Sequence, residues 1–167
     1  MAKQVQQRQT NTLTIRHFDK GDIKQEMSGN YICNSKEKNT ISDGYKDILI
    51  ETTDLACTIT INRPKMLNAF TGDTIIELED AVQRTYDDNE IGAVVLTGAG
   101  HRSSSAGGDV NWEASGGLED TEWRLGRYIV DCPKPIVARI TGYAISGGNH
   151  LAYLCDFMIA AEHSRFG

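Results

Sequence analysis

From Tyr45 onward the sequence predicts an α/β fold with helices layered on a largely parallel sheet. Two observations carry that expectation. Strand-like and helix-like stretches alternate along the chain, the order found where helices cover a mostly parallel sheet. Two glycine pairs, Gly107-Gly108 and Gly147-Gly148, each follow a strand and open a helix.

The elements follow in order. Residues 48–52 and 57–61 are rich in β-branched side chains and are joined by Thr53-Asp54-Leu55, a hairpin pattern. Asn62-Arg63-Pro64 ends the second strand, because proline has no ladder donor. Residues 71–88 read as a helix, with Ile75, Leu78, Val82 and Tyr86 on one face. A buried strand is expected at 92–97 and a short helix at 110–114. A longer helix is expected at 120–130, broken by Cys132-Pro133-Lys134-Pro135. Ile136-Val137-Ala138-Arg139-Ile140 is the next strand, 150–155 a helix, and 157–160 a further apolar strand.

Residues 1–44 differ in character. Gln, Asn, Lys, Ser and Thr dominate, and apolar positions such as Ile15, Phe18, Ile23 and Ile32 are scattered. Such a stretch buries too little apolar surface to offset the entropy of ordering it. A mobile extension is expected, with a short strand around 13–18 as the alternative. The following 123 residues, 45–167, form the expected core.

A chain of 167 residues suits one domain with a sizeable core. The net charge of −6, with no cluster of Lys and Arg, argues against a nucleic-acid face. Cys33, Cys57, Cys132 and Cys155 lie too far apart for a CxxC metal site, so free thiols in a cytoplasmic setting are expected and no metal ligands are assigned. No apolar run reaches the roughly 18 residues that would span a bilayer, and the N-terminus lacks the apolar stretch of a signal peptide.

The glycine pairs carry the chemistry. Each alone is a common tight turn. Glycine leaves the backbone N–H uncovered, and a helix start adds unpaired donors and partial positive charge. Two such ends meeting at one point form an oxyanion hole, which holds the charge that develops on a carbonyl oxygen. Asp109 reads as the N-cap of the short helix, accepting from Asn111 or Trp112. Asp156 reads as ordering a helix-to-strand turn, and Trp112 and Trp123 as packing residues. His101, His163 and Cys132 belong to no constellation. Gly98-Ala99-Gly100 after a strand suggests a dinucleotide site, but Ser103 stands where a third glycine is required and no acidic residue follows at the proper distance.

Six segments in register resemble the crotonase (enoyl-CoA hydratase/isomerase) superfamily. They are Ile61-Asn62-Arg63-Pro64 with Leu67-Asn68-Ala69-Phe70; Ala93-Val94-Val95-Leu96-Thr97-Gly98; Ala106-Gly107-Gly108-Asp109; Pro133-Lys134-Pro135-Ile136-Val137-Ala138; Gly142 to Gly148; and Cys155-Asp156-Phe157-Met158-Ile159-Ala160-Ala161, on to Phe166-Gly167. The resemblance implies a spiral of ββα units, and an acyl-coenzyme A thioester as substrate, with coenzyme A arriving as part of it rather than as a resident cofactor. It implies a homotrimer or a hexamer for the full-length protein.

The resemblance also assigns roles. It puts the oxyanion-hole amides on Gly108 and Gly147. It puts the coenzyme path along Lys65, Met66, Leu67, Ala69, Ala106, Gly107, Asp109 and Tyr143. His150 stands where hydratases carry a catalytic glutamate, and is read either as a proton-transfer residue or as a pocket-lining one. Ser146 replaces the first glycine of a GGG motif, and Ser103 and Ser104 replace an apolar or aromatic residue and its small neighbour. The family's second catalytic carboxylate and its capping helices follow the segment where this chain stops, so the expected fold is a C-terminally truncated spiral. Tyr45-Lys46-Asp47-Ile48 and the missing glutamate are most similar to the branch holding 1,4-dihydroxy-2-naphthoyl-CoA synthases and 2-ketocyclohexanecarboxyl-CoA hydrolases. Against the synthases, Leu118 follows Gly116-Gly117 where a tyrosine is typical. Carbon–carbon bond making or breaking is therefore the expected activity, with enoyl-CoA hydratase/isomerase, or a non-catalytic acyl-CoA-binding fragment, as alternatives.

Overall fold

The computed structural model describes residues 39–40, 44–117 and 124–167. The expected N-terminal extension, apart from its last few positions, lies outside the described residues. So do positions 120–123 of the expected third helix, Trp123 included.

The hairpin forms as the sequence predicts. Strands β2 (Ile48–Thr53) and β3 (Ala56–Ile61) pair antiparallel from Ile48↔Ile61 to Thr53↔Ala56. Asp54 turns the chain at φ 53°, in a region that Asp visits more readily than most residues. A two-residue strand β1 (Asn39–Thr40) pairs antiparallel with β2, so regular structure begins before residue 45.

Strands β4 (Ala93–Gly98), β6 (Ile136–Ile140) and β8 (Phe157–Ala160) then add in parallel, giving the sheet order β1-β2-β3-β4-β6-β8. A second sheet of three parallel strands holds β5 (Ser103–Ser105), β7 (Tyr143–Ala144) and β9 (Arg165–Phe166). These strands were not anticipated, because two or three polar or mixed residues carry no period-2 signal. The chain thus lays one strand in each sheet and then a helix. β4-β5 leads to α2 (Val110–Ala114), β6-β7 leads to α4 (Gly147–Leu154), and β8-β9 continues the pattern.

Helix α1 (Gly72–Asp87) is fixed at its start by a capping box between Thr71 and Thr74. Ile75, Leu78, Ala81 and Val82 are buried against Ile48, Ile59, Ile61, Val94 and Ile136 of the large sheet. At its other end the Lys134 ammonium donates to the carbonyls of Thr85 and Asp88, where a cation suits the last-turn carbonyls. Helix α3 spans Leu125–Val130, with Leu125 and Ile129 buried. Helix α4 begins at Gly147, three residues ahead of the expected start, because its first turn is built on the glycines themselves. Asp156 holds β8 beside β6: its amide donates to the Ile136 carbonyl and its carboxylate accepts from the Ile136 amide at 2.8 Å. Strand β8 is exposed along its whole length.

Candidate functional site

The site grows from the loop after β3. Pro64–Met66 forms one 3-10 turn, and Leu67 and Asn68 follow with φ of 53° and 56°. Asn68 makes this left-handed stretch stable. Its buried amide group accepts from the Arg63 amide at 3.0 Å and donates to the carbonyls of Ala99 and Ser103 at 2.9 and 2.7 Å. The Arg63 guanidinium donates to the Ala69 carbonyl and lies 3.4 Å from the carboxylates of both Asp47 and Asp109. The loop is therefore anchored to β4, β5 and the first glycine turn together.

Backbone bonds then set the first glycine pair. The Ala106 amide donates to Leu67, the Phe70 amide to Gly107, and the Asp109 amide to Phe70, at 3.1, 2.9 and 2.9 Å. Gly107 has φ +93°, and a Cβ there would stand 3.0 Å from the Gly147 amide nitrogen and 3.1 Å from the Ile145 carbonyl. The second glycine turn lies directly against the first. The Ile145 amide donates to the Ser105 carbonyl at 3.0 Å, and a Cβ on Gly148 would meet that same carbonyl oxygen at 2.3 Å. Only glycine allows this approach at 148.

Among the described residues, the amides of Gly108 and Gly147 donate to no acceptor, whereas the Gly107 and Gly148 amides are bonded to Ser105 Oγ and the Ile145 carbonyl. Gly147 is the first residue of an eight-residue helix, where an N–H has no partner within the helix. Ser146, just before it, has φ 49° and ψ −125°, a costly backbone for a residue with a side chain. Gly108 and Gly147 are both half-buried rather than sealed in the core.

The other sequence-assigned residues divide into two groups. Leu67 and Ala69, in the loop after β3, come together with Ala106, Gly107, Gly108, Asp109 and Gly147 of the two turns. Asp109 is buried and serves as the N-cap: one oxygen accepts from the Asn111 amide at 3.1 Å and the other faces Arg63. Lys65 and Met66 lie exposed on the 3-10 turn. Tyr143 is exposed in β7, where its carbonyl accepts from Ser103 Oγ at 3.0 Å. His150 is exposed on α4, and among the described residues its imidazole makes no hydrogen bond. Trp112 packs, half-buried, against the main core.

Sequence reasoning missed two residues. Arg63 was read only as part of a strand-ending motif, yet it ties Asp47 to Asp109. Glu113 was not singled out at all, yet its carboxylate covers Gly108: a Cβ on that glycine would stand 1.9 Å from Glu113 Oε1. The signal was present, because helical side chains lean toward the turn before them, which from position 113 is the first glycine turn.

A cleft of about 340 Å³ opens beside Arg63, lined by Lys46, Asp47, Thr71, Asp73 and Trp112, and includes neither glycine pair. Among the described residues, no three His, Cys, Asp or Glu side chains gather as metal ligands, and no helix is long and apolar enough to cross a membrane. Burial pushes the Cys155 thiol up to about 12, with Asp156 adding to the effect, and its Sγ donates to the Leu151 carbonyl.

The two linked glycine turns on a double-sheet spiral define a class that comparison with known proteins identifies. Residues 51–167 match the model of the enoyl-CoA hydratase/isomerase family. An enoyl-CoA hydratase from Mycobacterium marinum is 38% identical with a TM-score of 0.66, over 72% of this chain and 48% of that one. One from Mycobacterium avium subsp. paratuberculosis is 32% identical, with a TM-score of 0.63 over 72% of this chain and 47% of that one. One from Bacillus anthracis is 28% identical, with a TM-score of 0.68 over 73% of this chain and 50% of that one. The chain belongs to the enoyl-CoA hydratase/isomerase (crotonase) family, and it spans about half the length of the solved relatives it matches.

Proposed function

We propose that this chain binds an acyl-CoA thioester and stabilises its enolate on the amides of Gly108 and Gly147. One observation carries the reading: two N–H groups without a partner among the described residues, on turns in contact with each other, one of them at a helix start. Donors held in place before reaction cost no reorganisation when charge develops, and each is worth about 10²–10³ in rate. Titration of acetoacetyl-CoA into the wild-type chain and a Gly108→Pro variant tests it. Proline removes a donor that makes no internal bond, so tighter binding to wild type is the expected result. Equal affinity would sink the assignment.

Within that chemistry, carbon–carbon bond making or breaking is the finer reading, in the manner of 1,4-dihydroxy-2-naphthoyl-CoA synthases or 2-ketocyclohexanecarboxyl-CoA hydrolases. His150 supports it, since hydratases use a glutamate at that position. Assembly as a trimer or hexamer belongs to the same resemblance. The names of the solved relatives favour a second reading, enoyl-CoA hydration or isomerisation. Crotonyl-CoA separates the two: hydration at an ordinary enzymatic kcat of roughly 1–10³ s⁻¹ selects the second.

A further inference from the structure

We propose that Glu113 is the base that takes the α-proton of the bound thioester, an inference that rests on the acyl-CoA site proposed above. The placement is close. Around the position a Gly108 Cβ would occupy, Glu113 Oε1 lies at 1.9 Å, Cδ at 2.8 Å and Cγ at 3.2 Å. The carboxylate therefore rests on the residue that bears one of the two free amides. The absence of a side chain at 108 is what leaves room for it.

Most of the other buried and half-buried carboxylates have partners of a kind that Glu113 lacks. Asp47 and Asp109 face Arg63, Glu79 faces Arg124 and the Arg124 amide, Glu77 accepts from the Lys46 and Asp47 amides, and Asp80 faces Arg84; Glu51 on β2 shares the lack of a side-chain partner among the described residues. The half-buried Glu113 carboxylate has no hydrogen bond or ion pair among the described residues. The plainer account is an acidic residue in the first turn of α2, where the helix dipole favours it. That effect contributes about 0.3–1 kcal/mol in general, and the lean of helical side chains toward the preceding turn brings the carboxylate to Gly108, but neither supplies it with a partner there. The N-terminal amide of Asn111 is already capped by Asp109.

The step balances without a co-reactant. A bond forms between Glu113 Oε1 and the α-hydrogen as the Cα–H bond breaks. Its electron pair becomes the Cα=C bond, and the carbonyl π pair moves to the thioester oxygen, where the amides of Gly108 and Gly147 hold it. Return of the proton regenerates the thioester, and in D₂O a deuteron returns instead.

The experiment incubates the 167-residue chain with butyryl-CoA in D₂O, follows deuteration at C2 by NMR, and measures affinity by calorimetry. Glu113→Gln is expected to slow exchange by about 10²-fold or more, the usual contribution of a general base, with affinity within about twofold. Glu113→Asp is expected to restore part of the rate. Glu113→Gln exchanging at the wild-type rate overturns the proposal, as does loss of affinity in step with loss of exchange. Loss of exchange in His150→Gln, with Glu113→Gln unaffected, gives the role to His150 and also overturns it. Wild type that binds butyryl-CoA without exchanging it removes Glu113's role alone. Wild type that binds no butyryl-CoA removes the acyl-CoA site, and this proposal with it.

Discussion

A methyl group added to Gly107 would stand 3.0 Å from the amide nitrogen of Gly147. Two turns 40 positions apart in sequence thus touch through bare backbone. Ser105 explains how they are held: its carbonyl accepts from Ile145, and its hydroxyl donates to the Asn68 carbonyl while accepting from the Gly107 amide. One short strand, β5, carries both turns and the loop before them.

That contact separates two glycines of similar backbone. Gly107 and Gly116 have φ of +93° and +87°, but a Cβ at 116 meets nothing within 4 Å. Both alanine variants incur the left-handed strain of about 1–2 kcal/mol. Gly107→Ala must also push apart Gly107 and the Ile145–Gly147 backbone. Its melting temperature is expected to fall below that of Gly116→Ala by about 2–4 °C for each further kcal/mol. Equal melting of the two would contradict the close approach.

Gly108 and Gly148 differ in what a side chain would strike. At 148 it meets the Ser105 carbonyl at 2.3 Å, part of a fixed backbone; at 108 it meets the movable end of Glu113. Gly148→Ala is expected to be destabilised severely and to express poorly. Gly108→Ala is expected to fold with a melting temperature near wild type while displacing the carboxylate and slowing α-proton exchange. In that variant a second change, Glu113→Gln, should cost much less than it does in wild type, and full additivity of the two would contradict the coupling.

The sequence was most legible where one physical signal dominates. The period of Ile75, Leu78 and Val82 gave α1, and the alternation through Cys57, Ile59 and Ile61 gave β3. The glycine turns were legible as turns, because a glycine pair between a strand and a helix start marks a tight connection. Strands β5, β7 and β9 were not, since at two or three residues they exist only through their partners. Glu113 was missed for a related reason. A carboxylate on a five-residue helix carries no pattern, and its importance comes from lying over a glycine that local sequence marks only as a turn.

Asn68 gives a test of the loop that carries the first turn. Its amide donates twice and accepts once, all to backbone, while the residue is 1% exposed. Asn68→Ala leaves three backbone groups without their partner, at about 1–3 kcal/mol for each that water cannot reach. Asn68→Asp keeps the acceptor but turns a carboxylate oxygen toward the Ala99 and Ser103 carbonyls. It is expected to be the more destabilising change, because an unpaired buried charge costs about 3–5 kcal/mol. Urea denaturation ranks the pair, and an aspartate variant as stable as wild type would contradict this hydrogen-bond assignment.

Alkaline titration probes the packing of α1 against α3. Burial pushes the Tyr86 hydroxyl up to about 12 from 10.0, with smaller contributions from Cys132, Asp131 and Tyr128, and the hydroxyl donates to the Tyr128 carbonyl. Between those values the unfolded chain loses this proton while the folded chain keeps it, so stability falls as pH rises. The contribution is complete below pH 10 and is lost as pH rises toward 12. Burial also raises Cys57 and Cys155, whose losses begin from 9.0 and overlap this window, so the total slope is not diagnostic. The difference between wild type and Tyr86→Phe is. Below pH 10 wild type should be more stable by about 1 kcal/mol, the usual net worth of one hydrogen bond, and that advantage should shrink steadily above pH 10. A difference that stays constant up to pH 11.5 would show that the hydroxyl ionises in the folded chain as it does in water.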